Sequence, residues 1–136
     1  EQPEPDLRAA HDRFEMLRIP RFSLTLQGLG LFGGVKPRAA WAGVAPSDPL
    51  MRMQAKLEQS ARLSGISVES RRYVPHVTLG RFPPPNPENT MRLERAIAGG
   101  MDFRSPAFAV EEVILYESRL SPKGNRYDEL ARYPLI

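Results

Sequence analysis

The chain has 136 residues, 41% of them hydrophobic and 26% charged, the make-up of a soluble globular protein with a core large enough to need no covalent staples. It contains no cysteine, which excludes disulfides and thiolate metal sites and suits a reducing cytosol, and no apolar run nears the ~18 residues of a membrane span. The formal charge of +3, from 19 basic and 16 acidic side chains, is compatible with an anionic ligand but far from the dense basic stripe of a non-specific nucleic-acid binder.

Residues 5–17 (PDLRAAHDRFEML) predict a short helix, with Pro5 and Asp6 at its start and Leu7, Ala10, Phe14 and Leu17 as an apolar stripe. His11 lies one step off that stripe and reads as an exposed or boundary helix residue. Residues 22–27 (FSLTLQ) alternate strictly and predict a half-buried strand. The glycines of GLGLFGG then break the regularity, and Gly33-Gly34 mark a turn. This run lacks the GK[ST] ending of a phosphate loop, and no helix pattern follows it. Residues 39–44 (AAWAGV) predict a short buried strand. SDPL then announces a helix, with Asp48 as its cap, Pro49 at the first helical position and Gly65 as its stop.

A strand follows over about Arg71 to Phe82, then a proline-rich loop, PPPNPEN, and a helix starting near Asn89 or Thr90 and stopped by Gly99-Gly100. Residues 108–116 (FAVEEVILY) predict a strand, SPKG (121–124) a turn, and residues 126–136 a last strand. The order is helix, strand, strand, helix, strand, helix, strand, strand. With hairpin-length connections beside longer crossovers it predicts an α+β fold, mostly antiparallel sheet flanked by helices, in a single domain over residues 1–136.

PHVTLGRF (75–82) carries one of only two histidines. On a strand His76, Thr78 and Gly80 share one face, and Val77 and Leu79 the other, which is the better candidate for the core. The imidazole and hydroxyl then stand ~6–7 Å apart along the strand. Imidazole gives or takes a proton near neutral pH, and the hydroxyl donates to an anionic oxygen. Arg81 adds a planar fork suited to phosphate. Strict alternation puts Arg81 on the wrong side, and a bend at Gly80 is needed to bring it round.

PHVTLGRF resembles the His-x-Thr-Leu motif of the two-histidine (2H) phosphoesterases, and within them the bacterial and archaeal RNA 2′,3′-cyclic phosphodiesterases, also called 2′-5′ RNA ligases. FSLTLQGLGLFGG followed by KPRAAWAGV is similar to that family's strand, Gly-Phe turn and Pro-Arg-x-x-Trp strand. FAVEEVILYESRLSPKGNRYDEL resembles its C-terminal strand pair. The resemblance implies a bilobal fold in which two His-x-Thr motifs share a cleft, one His acting as acid on the leaving ribose oxygen and the other as base on the attacking water. On that pattern His76 matches the base, Thr78 its phosphate-binding partner, and Arg81 a basic contact to the phosphate end.

This sequence holds no second His-x-Thr. It resembles a family member without the opening strand, helix and first-motif strand, an N-terminally incomplete version of the fold. The resemblance implies hydrolysis of a terminal 2′,3′-cyclic phosphate to a 2′-phosphomonoester in the parent protein. The other reading is a non-catalytic RNA or nucleotide-phosphate binder that retains one motif. Expected partners are RNA ends or nucleotide phosphate esters in the cytoplasm, with no membrane. Scattered carboxylates and two distant histidines make a poor metal set, so neither metal nor other cofactor is expected, ATP included, as there is no P-loop.

Overall fold

The computed structural model describes residues 2–136. Its elements run α1 (Glu4–Met16), β1 (Phe22–Leu24), β2 (Leu26–Phe32), β3 (Ala39–Val44), α2 (Asp48–Leu63), β4 (His76–Arg81), α3 (Pro87–Gly99), β5 (Phe108–Val110), β6 (Glu112–Ser121) and β7 (Gly124–Pro134). This is the expected α+β order, with the strands expected at residues 22–27 and 108–116 each divided in two. No helix among the described residues is long and apolar enough to cross a membrane. The short strands β1 and β5 form a two-stranded sheet.

The chain forms two compact units. One takes the residues up to Phe22, Asp48–Ser70 and Ala109–Ile136. In it α1 and α2 pack together, and the long antiparallel β6–β7 hairpin turns through Pro122 and Lys123, between the paired Ser121 and Gly124. Ala10, Leu50 and Met53 form its core with Tyr133 and Leu135. Tyr133 ties β7 to α1: its hydroxyl lies 2.8 Å from His11 Nδ1, and its ring meets Phe14 edge-on at 5.5 Å.

The second unit takes Ser23–Ser47 and Arg71–Phe108. Its frame is an antiparallel sheet in the order β2-β3-β4. Three expectations are corrected here. The GLGLF stretch is strand, not loop: β2 runs on to Phe32, and the irregularity is confined to a bulge between Leu26 and Leu29 around Gly28, whose φ is +76°. Gly33 and Gly34 do make the turn, at φ +116° and +61°, where a side chain would be strained. The motif strand begins only at His76, since Pro75 has no N–H to pair. Helix α3 begins at Pro87, two to three residues earlier than expected, because the Asn86 side chain accepts from Asn89 N at 2.8 Å and caps it.

Candidate functional site

The site is built on β4, the last strand of its sheet, and on its pairing with β3. Gly43 faces His76, Trp41 faces Thr78, Ala40 faces Gly80 and Ala39 faces Arg81. One step along β3, from Trp41 to Ala40, thus spans two steps along β4, from Thr78 to Gly80. Leu79 is the extra residue of a bulge. Residues directly opposite one another in an antiparallel pair point to the same side. Ala39, Trp41 and Gly43 share a face by alternation, so His76, Thr78 and Arg81 share it too. The bulge at Leu79, rather than a bend at Gly80, returns Arg81 to the motif face.

The same register adds residues from β2. Gly30 pairs with Trp41 and Phe32 with Ala39, so both belong to this face. A Cβ on Gly30 would lie 2.1 Å from the Trp41 ring and one on Gly43 3.2 Å from it, so the indole lies flat across two bare backbone positions. Phe32 packs against Trp41 with ring centroids 5.4 Å apart and meets the His76 ring edge-on at 4.9 Å. The imidazole therefore stands beside an aromatic wall, while His76, Thr78 and Arg81 are all exposed.

His76 Nδ1 lies 2.8 Å from the main-chain carbonyl oxygen of Val74. A carbonyl can only accept, so Nδ1 carries the proton and, in the neutral ring, Nε2 presents its lone pair. That is the tautomer a general base needs, held by a backbone group that also stabilises the imidazolium once a proton is taken.

Val77 and Leu79 do not face a core as expected: they are 44% and 59% exposed. Helix α3 packs over β2, where Leu29 Cδ1 would be 2.4 Å from a Cβ on Gly100, and leaves the reverse face of β4 at the sheet's edge open. Leu79, as the bulge residue, is outside the alternation altogether. His11, on α1, has both ring nitrogens engaged, Nδ1 by the Tyr133 hydroxyl and Nε2 by Glu15 at 3.1 Å. His11, Asp12 and Glu15 do bring three potential ligand atoms within 4.8 Å of one another, although the imidazole would have to leave these partners to bind a metal.

Sequence reasoning did not single out Phe32, Gly30 or the Val74 carbonyl. Glycine inside a strand does signal a close approach, and at Gly30 the approaching group is the Trp41 ring.

The His-x-Thr face thus lies on an antiparallel sheet in a chain that also carries three helices. The chain belongs to the 2′-5′ RNA ligase superfamily, whose family model matches residues 2–121. Among curated relatives, an RNA 2′,3′-cyclic phosphodiesterase of Thermotoga maritima is 35% identical over 113 residues, covering 82% of this chain and 57% of that protein. One of Geobacillus stearothermophilus is 32% identical over 120 residues, covering 85% of this chain and 35% of that protein. One of Aeropyrum pernix is 30% identical over 129 residues, with 93% and 72% covered. The chain thus spans between about a third and somewhat under three quarters of the length of these relatives. Among solved structures, Escherichia coli LigT complexed with 3′-AMP is 25% identical with a TM-score of 0.72, covering 99% of this chain and 71% of that one. LigT has also been solved with ATP and with NADP+.

Proposed function

We propose that this chain carries the base-bearing half of an RNA 2′,3′-cyclic phosphodiesterase, which opens a terminal 2′,3′-cyclic phosphate to a 2′-phosphomonoester. The observation that carries the reading is the fixed tautomer of His76, with Nε2 presented on the same face as Thr78 and Arg81. Curated relatives of 30–35% identity bear the name of this activity, and LigT has been solved with 3′-AMP, NADP+ and ATP.

In the proposed reaction Nε2 of His76 takes a proton from the attacking water, whose oxygen bonds to phosphorus as the P–O3′ bond breaks. The Thr78 hydroxyl donates to a non-bridging phosphate oxygen, and Arg81 balances the negative charge from the phosphate end. The leaving 3′-oxygen departs on the far side of phosphorus and needs a proton from a second group. Because it must stand opposite the base while His76 holds the water's proton, that acid is not the same imidazole.

The test is turnover of a short oligonucleotide ending in a 2′,3′-cyclic phosphate by this chain and by His76→Ala. Turnover that is lost in the variant supports the assignment. An unchanged rate in the variant removes it. Binding of the phosphate end without turnover, dependent on Thr78 and Arg81, would favour the binding-module reading for the isolated chain.

A further inference from the structure

Helix α2 turns Arg52, Met53 and Lys56 to one side, the three- and four-residue spacing of a single helical face. Together with the stretch from Ile19 to Phe22, that face lines a cavity of about 260 Å³ in the unit that does not hold β4. The buried side chains of Ile19 and Met53 and the half-buried Phe22 give the cavity an apolar floor. Its charged lining residues are all cations, the exposed Arg21, Arg52 and Lys56, and among the described residues no carboxylate lines it.

Three cations on one small cavity repel one another unless an anion joins them. Where the helices place Glu four residues before Arg, the two side chains pair: Glu4 with Arg8, Glu58 with Arg62 and Glu88 with Arg92. Arg52 and Lys56 have the same spacing with like charges, which is destabilising on a helix. Neither has an ion-pair partner among the described residues, although Asp48 stands one turn before Arg52. Arg21 is held by the backbone: its N donates to Ile136 O at 2.8 Å, and its Nε donates to Leu135 O at 3.4 Å. Its Nη1 lies 3.9 Å from Glu111, the outer limit of an ion pair, and both side chains are exposed, so the contact is worth little.

We propose that Arg21, Arg52 and Lys56 form a binding site for a small phosphate monoester. Two guanidinium forks and an ammonium take the dianionic phosphoryl group, and Ile19, Phe22 and Met53 take an apolar body of about one ring. The size follows from the volume, which lies just under the ~300–1,000 Å³ of sites for drug-sized ligands. The site is independent of the function proposed above, whose residues stand on β4 in the other unit.

The experiment follows the backbone amide NMR signals of the 136-residue chain as three probes are titrated in: phenyl phosphate, inorganic phosphate and phenol. Phenyl phosphate should shift the amides of Ile19, Arg21 and Phe22 and those from Arg52 to Lys56, to saturation. It should bind there roughly tenfold tighter than inorganic phosphate, the gain from burying ~60 Å² of ring. Phenol, which carries no charge, should leave these amides in place at the same concentrations. Arg52→Ala/Lys56→Ala, which puts the best helix former at two exposed positions, should keep its circular dichroism and weaken phenyl phosphate by about tenfold or more. Shifts confined to β4 overturn the site and leave the phosphate site at His76 standing, and so does equal affinity of parent and double variant at Ile19–Phe22. Equal affinity for phenyl phosphate and inorganic phosphate, or for phenyl phosphate and phenol, overturns the assignment to a phosphate monoester.

Discussion

His76 donates through Nδ1 to the carbonyl oxygen of Val74, two residues earlier in the chain, at 2.8 Å. The bond spans the Pro75 position, where the chain enters β4, so the residue that delays the strand also places the carbonyl that sets the ring. An Nε2 lone pair facing outward is the consequence. Removing it in His76→Ala should lower turnover of a cyclic-phosphate-ended oligonucleotide by about 10²–10⁴-fold, the contribution of a positioned proton-transfer group. An exposed position predicts an unchanged fold, checked by circular dichroism and the melting temperature.

Arg81 reaches the motif face only because Leu79 is an extra residue opposite the Ala40–Trp41 step. Deleting Leu79 should close the bulge and keep Arg81 opposite Ala39, on the motif face. Affinity for a 2′-phosphate end should survive that deletion but fall about tenfold, ~1.4 kcal/mol, in Arg81→Ala. Arg81→Lys should recover only part, because an ammonium cannot form the paired bonds of a guanidinium. Native affinity in Arg81→Ala excludes Arg81 from the phosphate site.

Gly30 tests the aromatic wall. Its Cβ position lies 2.1 Å from Trp41 Cζ2, and a fused ring cannot yield as a flexible chain end does. Gly30→Ala should destabilise the protein by about 1–3 kcal/mol, the range for overpacking. The displaced indole should also disturb the Phe32 ring that abuts His76. Denaturant melts report the first effect, and the shift of the His76 ring protons reports the second. Native values of both would mean that the indole has room elsewhere.

Tyr133 should make stability depend on alkaline pH. Burial of its phenol, and secondarily the nearby charge of Glu15, hold its pKa above the ordinary 10.0. Below pH ~10 both folded and unfolded chains keep the proton and the full contribution is present. Above it the unfolded chain releases its proton first, so stability falls until the pH passes the folded value. Tyr133→Phe should therefore melt lower near neutrality, by the ~0.5–1.5 kcal/mol of its bond to His11. It should also lose less stability than the parent as the pH rises above about 10. Parallel curves for the two proteins would assign the alkaline transition to other groups, such as Tyr73, whose pKa burial also raises.

The element order, the α+β class and the placement of His76 and Thr78 together on a strand were legible in the sequence. Each depends on signals within a few residues: the 3.6- and 2-residue apolar periods, Asp48-Pro49 at a helix start, Gly33-Gly34 at a turn. The errors were local too. Asn86 capped its helix earlier than the apolar pattern suggested, and the glycines of β2 resembled a break because glycine is scarce in strands. What only the tertiary structure decided is which side each group faces. Arg81 depends on a bulge that exists only in the pairing with β3, and Gly30 is explained only by an indole eleven positions away on that neighbouring strand. Val77 and Leu79 have the composition of a core face, but whether such a face is covered depends on what packs there, and α3 packs over β2 instead. A strand's period determines that its residues alternate, whereas register and coverage are properties of its neighbours.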